Sequence, residues 1–313
     1  MQTALDLANN EGRPPGEEVL DKTALAPDLI SRYASPALLE QAFADCLGAN
    51  PDCVLATTGG DDAIDRVMRT FVMPGQEILF PVPTFEMIPA YARMAHAKLV
   101  PIEYEWGCMP HEDILAHITE NTALVVLISP DNPTGHAFAT AEIERLADAL
   151  PPGVTLLLDA AYLDYADEDY TRRMLEKSNT VMIRSMSKAW GLAGLRVGFA
   201  LGNAGRIKAM RNTGGPYPLT GPSIAIAQRC LQFGQAAFNA HIEQTCRWRP
   251  ALADMMLKAG GVPLASQANF VLASFPDAAW IARGLAAQGM RGRRVGHMRG
   301  YIRVTVPRTD AEM

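Results

Sequence analysis

The chain has 313 residues, 49% of them hydrophobic, with 34 acidic against 28 basic side chains and a formal net charge of -6. That length buries a full core and predicts one large domain plus a smaller one, while the acidic balance argues against nucleic acid as a main partner. The stretch from Met1 to Glu11 lacks the basic start and apolar core of a signal peptide, and no later run is apolar for long enough to cross a membrane. The expectation is a cytoplasmic protein with no membrane partner. Cys46, Cys53, Cys108, Cys230 and Cys246 are scattered without Cys-x-x-Cys pairing, and the six histidines show no metal spacing. Free thiols and no structural metal are therefore expected.

In chain order, short apolar runs rich in β-branched residues alternate with helical patterns, which predicts an α/β fold around a parallel sheet covered on both faces. The expected strands are 77–81, 98–102, 123–128, 155–158, 181–184 and 197–201. Ile64, Val67, Met68 and Phe71 recur at i, i+3, i+4 and i+7, the spacing of a helix packed on the sheet through one face. The Gly/Pro-rich stretch at 212–218 is turn-forming and reads as the exit from the large domain. The expected organisation is an N-terminal arm with part of a small domain over 1–44, a large domain over 45–212, and a linking helix with a small C-terminal domain over 213–313.

Lys188 lies in Ser185-Met186-Ser187-Lys188, with glycines after it and Arg196 eight residues on. Hydroxyls, closely approaching backbone and an arginine beside a lysine suit an aldehyde cofactor held as a Schiff base next to its phosphate, as in pyridoxal phosphate (PLP) enzymes. An isolated Ser-x-Ser-Lys is also compatible with a solvated surface lysine. Here the run follows a predicted buried strand, and open α/β sheets bind ligands at the carboxyl ends of their strands.

Four further segments supply what such a site needs. At Gly59-Gly60-Asp61-Asp62 a strand gives way to a helix whose free N–H groups suit a phosphate, although either aspartate also reads as a plain helix cap. Asn132 sits in a Pro/Gly turn after the strongest strand, where its amide can donate to a cofactor's phenolic oxygen. Asp159 ends a run of leucines; a buried carboxylate needs a charged partner, and a protonated pyridine nitrogen is one. Tyr162 follows three residues on, placed for a second bond to the phenolic oxygen. Arg303 interrupts a strand pattern between Ile302 and Val304, as a clamp for a carboxylate or as an exposed edge-strand arginine. It belongs to a basic segment with Arg291, Arg293, Arg294, His297 and Arg299, for which a solvated basic face is the alternative.

Together these motifs resemble the fold-type-I PLP-dependent aminotransferases of class I and II, closest to the histidinol-phosphate aminotransferase group. The resemblance spans nearly the whole chain and implies a large domain with a mainly parallel sheet plus a smaller α/β domain. It implies that Lys188, Asp159 and Tyr162 are catalytic, with Gly60, Asp61, Phe85, Asn132, Ser185, Ser187 and Arg196 also around PLP. Tyr33 is similar to a family tyrosine that reaches the neighbouring subunit's cofactor phosphate, so a homodimer is implied. Arg303, Arg293 and Asn269 are implied to contact substrate: an amino donor, with a 2-oxo acid as acceptor. The chain departs from the pattern in having Ala160-Ala161 where many relatives place a glutamate, in a short N-terminal arm, and in stopping at Met313 where a last helix would follow. Two alternatives stand beside transamination: a decarboxylase of a phosphorylated amino acid, and a non-catalytic binding module, against which the presence of both Lys188 and Asp159 weighs.

Overall fold

A computed structural model of the chain describes residues 5–17, 19, 20, 26–296, 298–309 and 312. Strand β1 (Leu5–Asp6) and helices α1 (Pro27–Ser31) and α2 (Ala37–Leu47) precede β2 (Val54–Thr58) and α3 (Gly59–Phe71). Next come β3 (Glu77–Val82), α4 (Met87–Met94), β4 (Lys98–Glu103), α5 (His111–Ala116), β5 (Thr122–Ile128), α6 (Thr140–Ala149) and β6 (Thr155–Asp159). After α7 (Thr171–Leu175), β7 (Thr180–Ser185) and β8 (Val197–Gly202) complete the large sheet, and α8 (Ala204–Thr213) follows. Helices α9 (Gly221–Phe233) and α10 (Gln235–Lys258) lead to β9 (Val262–Pro263), β10 (Phe270–Ser274) and α11 (Ala278–Ala287). The chain then forms β11 (Met290–Arg291), β12 (Arg293–Arg294) and β13 (Tyr301–Thr305).

All six expected strands are present, with ends moved by no more than one residue. They lie in a seven-stranded sheet of order β2-β8-β7-β6-β5-β3-β4. The sheet is mixed where the sequence suggested a parallel one: β8 runs antiparallel to both β2 and β7, and the other pairs are parallel. The reason lies in the connection. A parallel return needs a crossover, commonly a helix, whereas residues 186–196 hold only a 3₁₀ turn at Ala193–Leu195.

Burial on both faces explains the continuous apolar character of the central strands. Along β5, Val125 and Leu127 point into a core shared with α2, α6 and α9, and Leu124, Val126 and Ile128 into the opposite core with α3, α4 and α8. Ile64, Val67 and Met68 of α3 are buried in the second core and Phe71 packs at its edge. A separate antiparallel sheet, β12-β13-β10-β9, packs Val271, Ala273, Ile302 and Val304 against Trp248, Leu252 and Met256 of α10. Leu7 joins that core, and β1 pairs in parallel with β11. The N-terminal segment is thereby laid along the smaller sheet and delivered to the carboxyl ends of the large one.

Candidate active site

A cavity of about 300 Å³ opens where the carboxyl ends of β5, β6 and β7 meet the first turn of α3 and the β12–β13 pair. Gly60, Asp61, Phe85, Asn132, Asp159, Tyr162, Ser185, Ser187, Lys188, Arg196, Arg293 and Arg303 all line it. Residues separated by up to hundreds of positions converge because most sit at or just beyond the strand ends of the large sheet, where an α/β sheet places its ligands, while Arg293 and Arg303 come from β12 and β13.

Lys188 follows β7. Its Nζ lies 3.3 Å from the Asn9 carbonyl and 5.5 Å from the centre of the Tyr162 ring. Two glycines permit the N-terminal segment to cross the lysine loop so closely. A Cβ on Gly12 would fall 1.7 Å from the Lys188 carbonyl oxygen, and one on Gly191, at φ +67°, would fall 1.8 Å from that of Arg13.

Asp159 is the last residue of β6 and is 7% exposed. One carboxylate oxygen accepts the Ala161 N–H at 3.0 Å, and among the described residues no basic side chain pairs with it. Burial raises its pKa to about 6; Asp61 adds to the rise and Lys188 opposes it. Next to Asn132, the buried Asp131 braces the turn by accepting the Thr134 N–H at 3.2 Å and hydroxyl at 2.6 Å, and burial lifts its pKa to about 7. The Asn132 side-chain oxygen accepts from Arg303, which leaves its amide hydrogens available.

At the α3 end, Arg196 occupies the left-handed region at φ +52°. Its guanidinium donates to Ser187 Oγ at 3.2 Å and to Asp61 at 3.2 Å, and the Ser187 N–H donates to Ser185 Oγ at 3.1 Å. The two aspartates that were equivalent in sequence separate here. Asp62 caps, accepting the Thr58 N–H at 2.9 Å and pairing with Arg66, while Asp61 faces the cavity. The first-turn N–H groups of Gly60 and Asp61 have no intrahelical acceptor and lie beside Arg196, an anion-binding arrangement.

On the β12–β13 side, Arg303 is 8% exposed. It donates to the Ala8 carbonyl at 2.7 Å and lies over the Phe270 ring at 5.0 Å. Arg293 is its cross-strand partner and pairs with Glu86 at 2.6 Å. The rest of the basic segment turns elsewhere: Arg291 pairs with Asp6, Arg294 and Arg299 are exposed, and His297 lies outside the described residues.

Two expected residues are not in the cavity lining. Asn269 precedes β10 and donates to the Asn10 carbonyl at 3.1 Å. Tyr33 is 82% exposed and stacks on Tyr217 with ring centres 4.4 Å apart. Conversely, Ala8, Asn9, Asn10 and Glu86 line the site without having been singled out as site residues. Neither periodicity nor composition marks a loop residue that reaches the cavity only through the path of the N-terminal segment or, for Glu86, of the β3–α4 loop.

The side chains present fit PLP. A buried carboxylate without a cationic partner among the described residues suits a protonated ring nitrogen, the Arg196 cradle suits a phosphate, and a lysine amine lines the same cavity. The family model for aminotransferase class I and II matches residues 7–313. A histidinol-phosphate aminotransferase of Dinoroseobacter shibae is 32% identical over 100% of this chain and 88% of its own length. One from Rhodopseudomonas palustris is 30% identical over 97% of this chain and 87% of its own. The crystal structure of histidinol-phosphate aminotransferase from Sinorhizobium meliloti in complex with pyridoxal-5'-phosphate matches with a TM-score of 0.89 at 26% identity, covering 99% of this chain and 88% of that one. L-threonine-O-3-phosphate decarboxylase from Porphyromonas gingivalis shares the fold, with a TM-score of 0.83 at 22% identity over 98% of this chain and 96% of its own. The chain belongs to the class I and II aminotransferases, fold-type-I enzymes that depend on pyridoxal phosphate.

Proposed function

We propose that the protein moves an amino group from an anionic donor, an amino-alcohol phosphate such as histidinol phosphate or an amino acid, to a 2-oxo acid. The observation that carries this reading is the cross-strand pair Arg293 and Arg303, both lining the cavity from the smaller sheet, whereas Arg196 belongs to the loop between β7 and β8 of the large one. One arginine set is sufficient for the cofactor's phosphate. A second, on another sheet, calls for an anionic group on the substrate.

Bound PLP supplies an electron sink for the bond broken at the donor's α-carbon. The protein's residues supply the remainder. Lys188 would hold the cofactor, and its amine would move the donor's α-proton. Asp159 would keep the ring nitrogen protonated, Tyr162 and Asn132 would serve the phenolic oxygen, and Phe85 would shield the ring from water. Ser185, Ser187, Arg196 and the N–H groups of Gly60 and Asp61 bind the phosphate. Arg303 orients the donor through its carboxylate or phosphate, with Arg293 as the second anion contact.

The active unit in this reading is a homodimer in which Tyr33 of the partner subunit reaches the phosphate cradle. The exposure of Tyr33 supports it, as does the exposure of Ile30 and Leu38 on the adjoining helices.

A donor screen against 2-oxoglutarate, with histidinol phosphate and aromatic amino acids included, tests the proposal. Glutamate formation from histidinol phosphate at the highest kcat/KM is expected. Carbon dioxide release from a phosphorylated amino acid without glutamate formation would replace transamination by decarboxylation.

A further inference from the structure

Asn10 is 1% exposed and held in the left-handed region at φ +55°. Asparagine tolerates that region better than most residues. Every polar group of Asn10 is engaged. Its N–H donates to Thr305 Oγ1 at 3.0 Å, and its carbonyl accepts from Asn269 at 3.1 Å. Its side-chain oxygen lies 3.1 Å from the Thr305 hydroxyl, whose hydrogen it shares with the Leu7 carbonyl at 2.8 Å. Its side-chain nitrogen donates to the Tyr162 hydroxyl at 3.0 Å, across 152 positions of sequence. The flanking residues touch the same site, Ala8 through Arg303 and Asn9 through Lys188.

This arrangement has a direction. Tyr162 is 5% exposed, and Asn10 is the only hydrogen-bond partner of its hydroxyl among the described residues. With the amide donating, the phenol oxygen is an acceptor on that side. Its own proton is left for a group in the cavity, and an N–H donated to a hydroxyl makes that hydroxyl a stronger donor in turn. An aspartate at the same place would reverse the bond and draw the proton away.

We propose that Asn10 is a positioning residue that sets the direction of the Tyr162 hydroxyl, so that its proton is presented to an anionic oxygen of the ligand in the cavity. The inference rests on the reading of this cavity as the cofactor site, with Tyr162 on the phenolic side. It assigns Asn10, and not Tyr162 alone, the polarity of that contact.

The test is a visible-absorbance pH titration of the purified holoenzyme, which follows the chromophore formed on Lys188. A proton donated from Tyr162 favours the more anionic, deprotonated form of the chromophore, so losing it raises the apparent pKa. Two substitutions keep the left-handed backbone unstrained: Asn10→Asp, which keeps the shape and reverses the bond, and Asn10→Gly, which removes it. Asn10→Asp should raise the chromophore pKa by about one pH unit, the shift that corresponds to losing one charge-assisted hydrogen bond. Asn10→Gly should raise it by less, and should add nothing in the Tyr162→Phe background. No shift in Asn10→Asp while Tyr162→Phe does shift would overturn the role of Asn10 and leave the site reading intact. An Asn10→Gly shift of equal size with and without the Tyr162 hydroxyl would also overturn it. No shift in Tyr162→Phe would remove the site reading on which the inference depends.

Discussion

Replacing Asp159 by asparagine should stabilise the cofactor-free protein while weakening its hold on PLP. Asp159 is buried at the end of β6 with, among the described residues, one backbone N–H as its only hydrogen-bond partner and no paired cation, and its pKa rises from an ordinary 3.8 to about 6. A raised folded-state pKa means that the protonated form suits the fold. The group destabilises nothing below about pH 4, and its penalty grows as pH rises towards 6 and is constant above. A rise of about two units corresponds to about 3 kcal/mol at pH 7. Asparagine resembles the protonated acid and escapes that penalty. It also loses the charge-assisted bond to the ring nitrogen, an expected loss of about 1.5–3 kcal/mol, or roughly 10- to 100-fold in cofactor affinity. Urea denaturation of the apoproteins between pH 4 and 8, with cofactor titration monitored by absorbance, measures both effects. The apo variant should be the more stable at pH 7.5, with the difference vanishing near pH 4, while PLP binds more weakly. An apo variant less stable at pH 7.5, or unchanged cofactor affinity, would refute the argument that this carboxylate is held unpaired for the ring.

Arg303→Lys should raise KM for every anionic donor by about 10- to 100-fold, because an ammonium cannot hold Ala8, Asn132 and a substrate anion with one planar fork. Steady-state kinetics across donors measures it, and unchanged KM values would exclude Arg303 from the donor site. Arg293→Ala should change the ranking among donors, because it removes a cation and releases the Glu86 carboxylate into the cavity. Phosphorylated and acidic donors should lose kcat/KM while aromatic ones keep it, and an unchanged ranking would reduce Arg293 to a surface ion pair. Mixed dimers of Tyr33→Ala and Lys188→Ala chains should recover part of the activity, since one hybrid site would be intact; verified heterodimers with none would argue that each chain builds its own site.

The strands of the large sheet were legible because burial on both faces writes them as uninterrupted apolar runs, and polar residues at their ends stood out against that background. Asp159 is the clearest case, a carboxylate after Leu156-Leu157-Leu158. Strand direction was not legible. Val197–Gly202 is a fully buried run like the central parallel strands of the sheet, and only the short connection before it makes it antiparallel to β7. The split between Asp61 and Asp62 was hidden as well, because which of two adjacent carboxylates turns back to the helix start depends on the Arg66 partner a turn later. Asn10 and Glu86 entered the site through tertiary paths, the N-terminal segment crossing at Gly12 and Gly191 and the β3–α4 loop facing β12. No local pattern encodes either crossing.

The most direct test of the central claim is to reduce the yellow holoenzyme with borohydride and map the fixed cofactor by peptide mass spectrometry. The account predicts a single labelled peptide containing Lys188 in Ser185-Met186-Ser187-Lys188, absent from Lys188→Ala. A label on any other lysine, or a coloured protein in which borohydride fixes nothing, would contradict it.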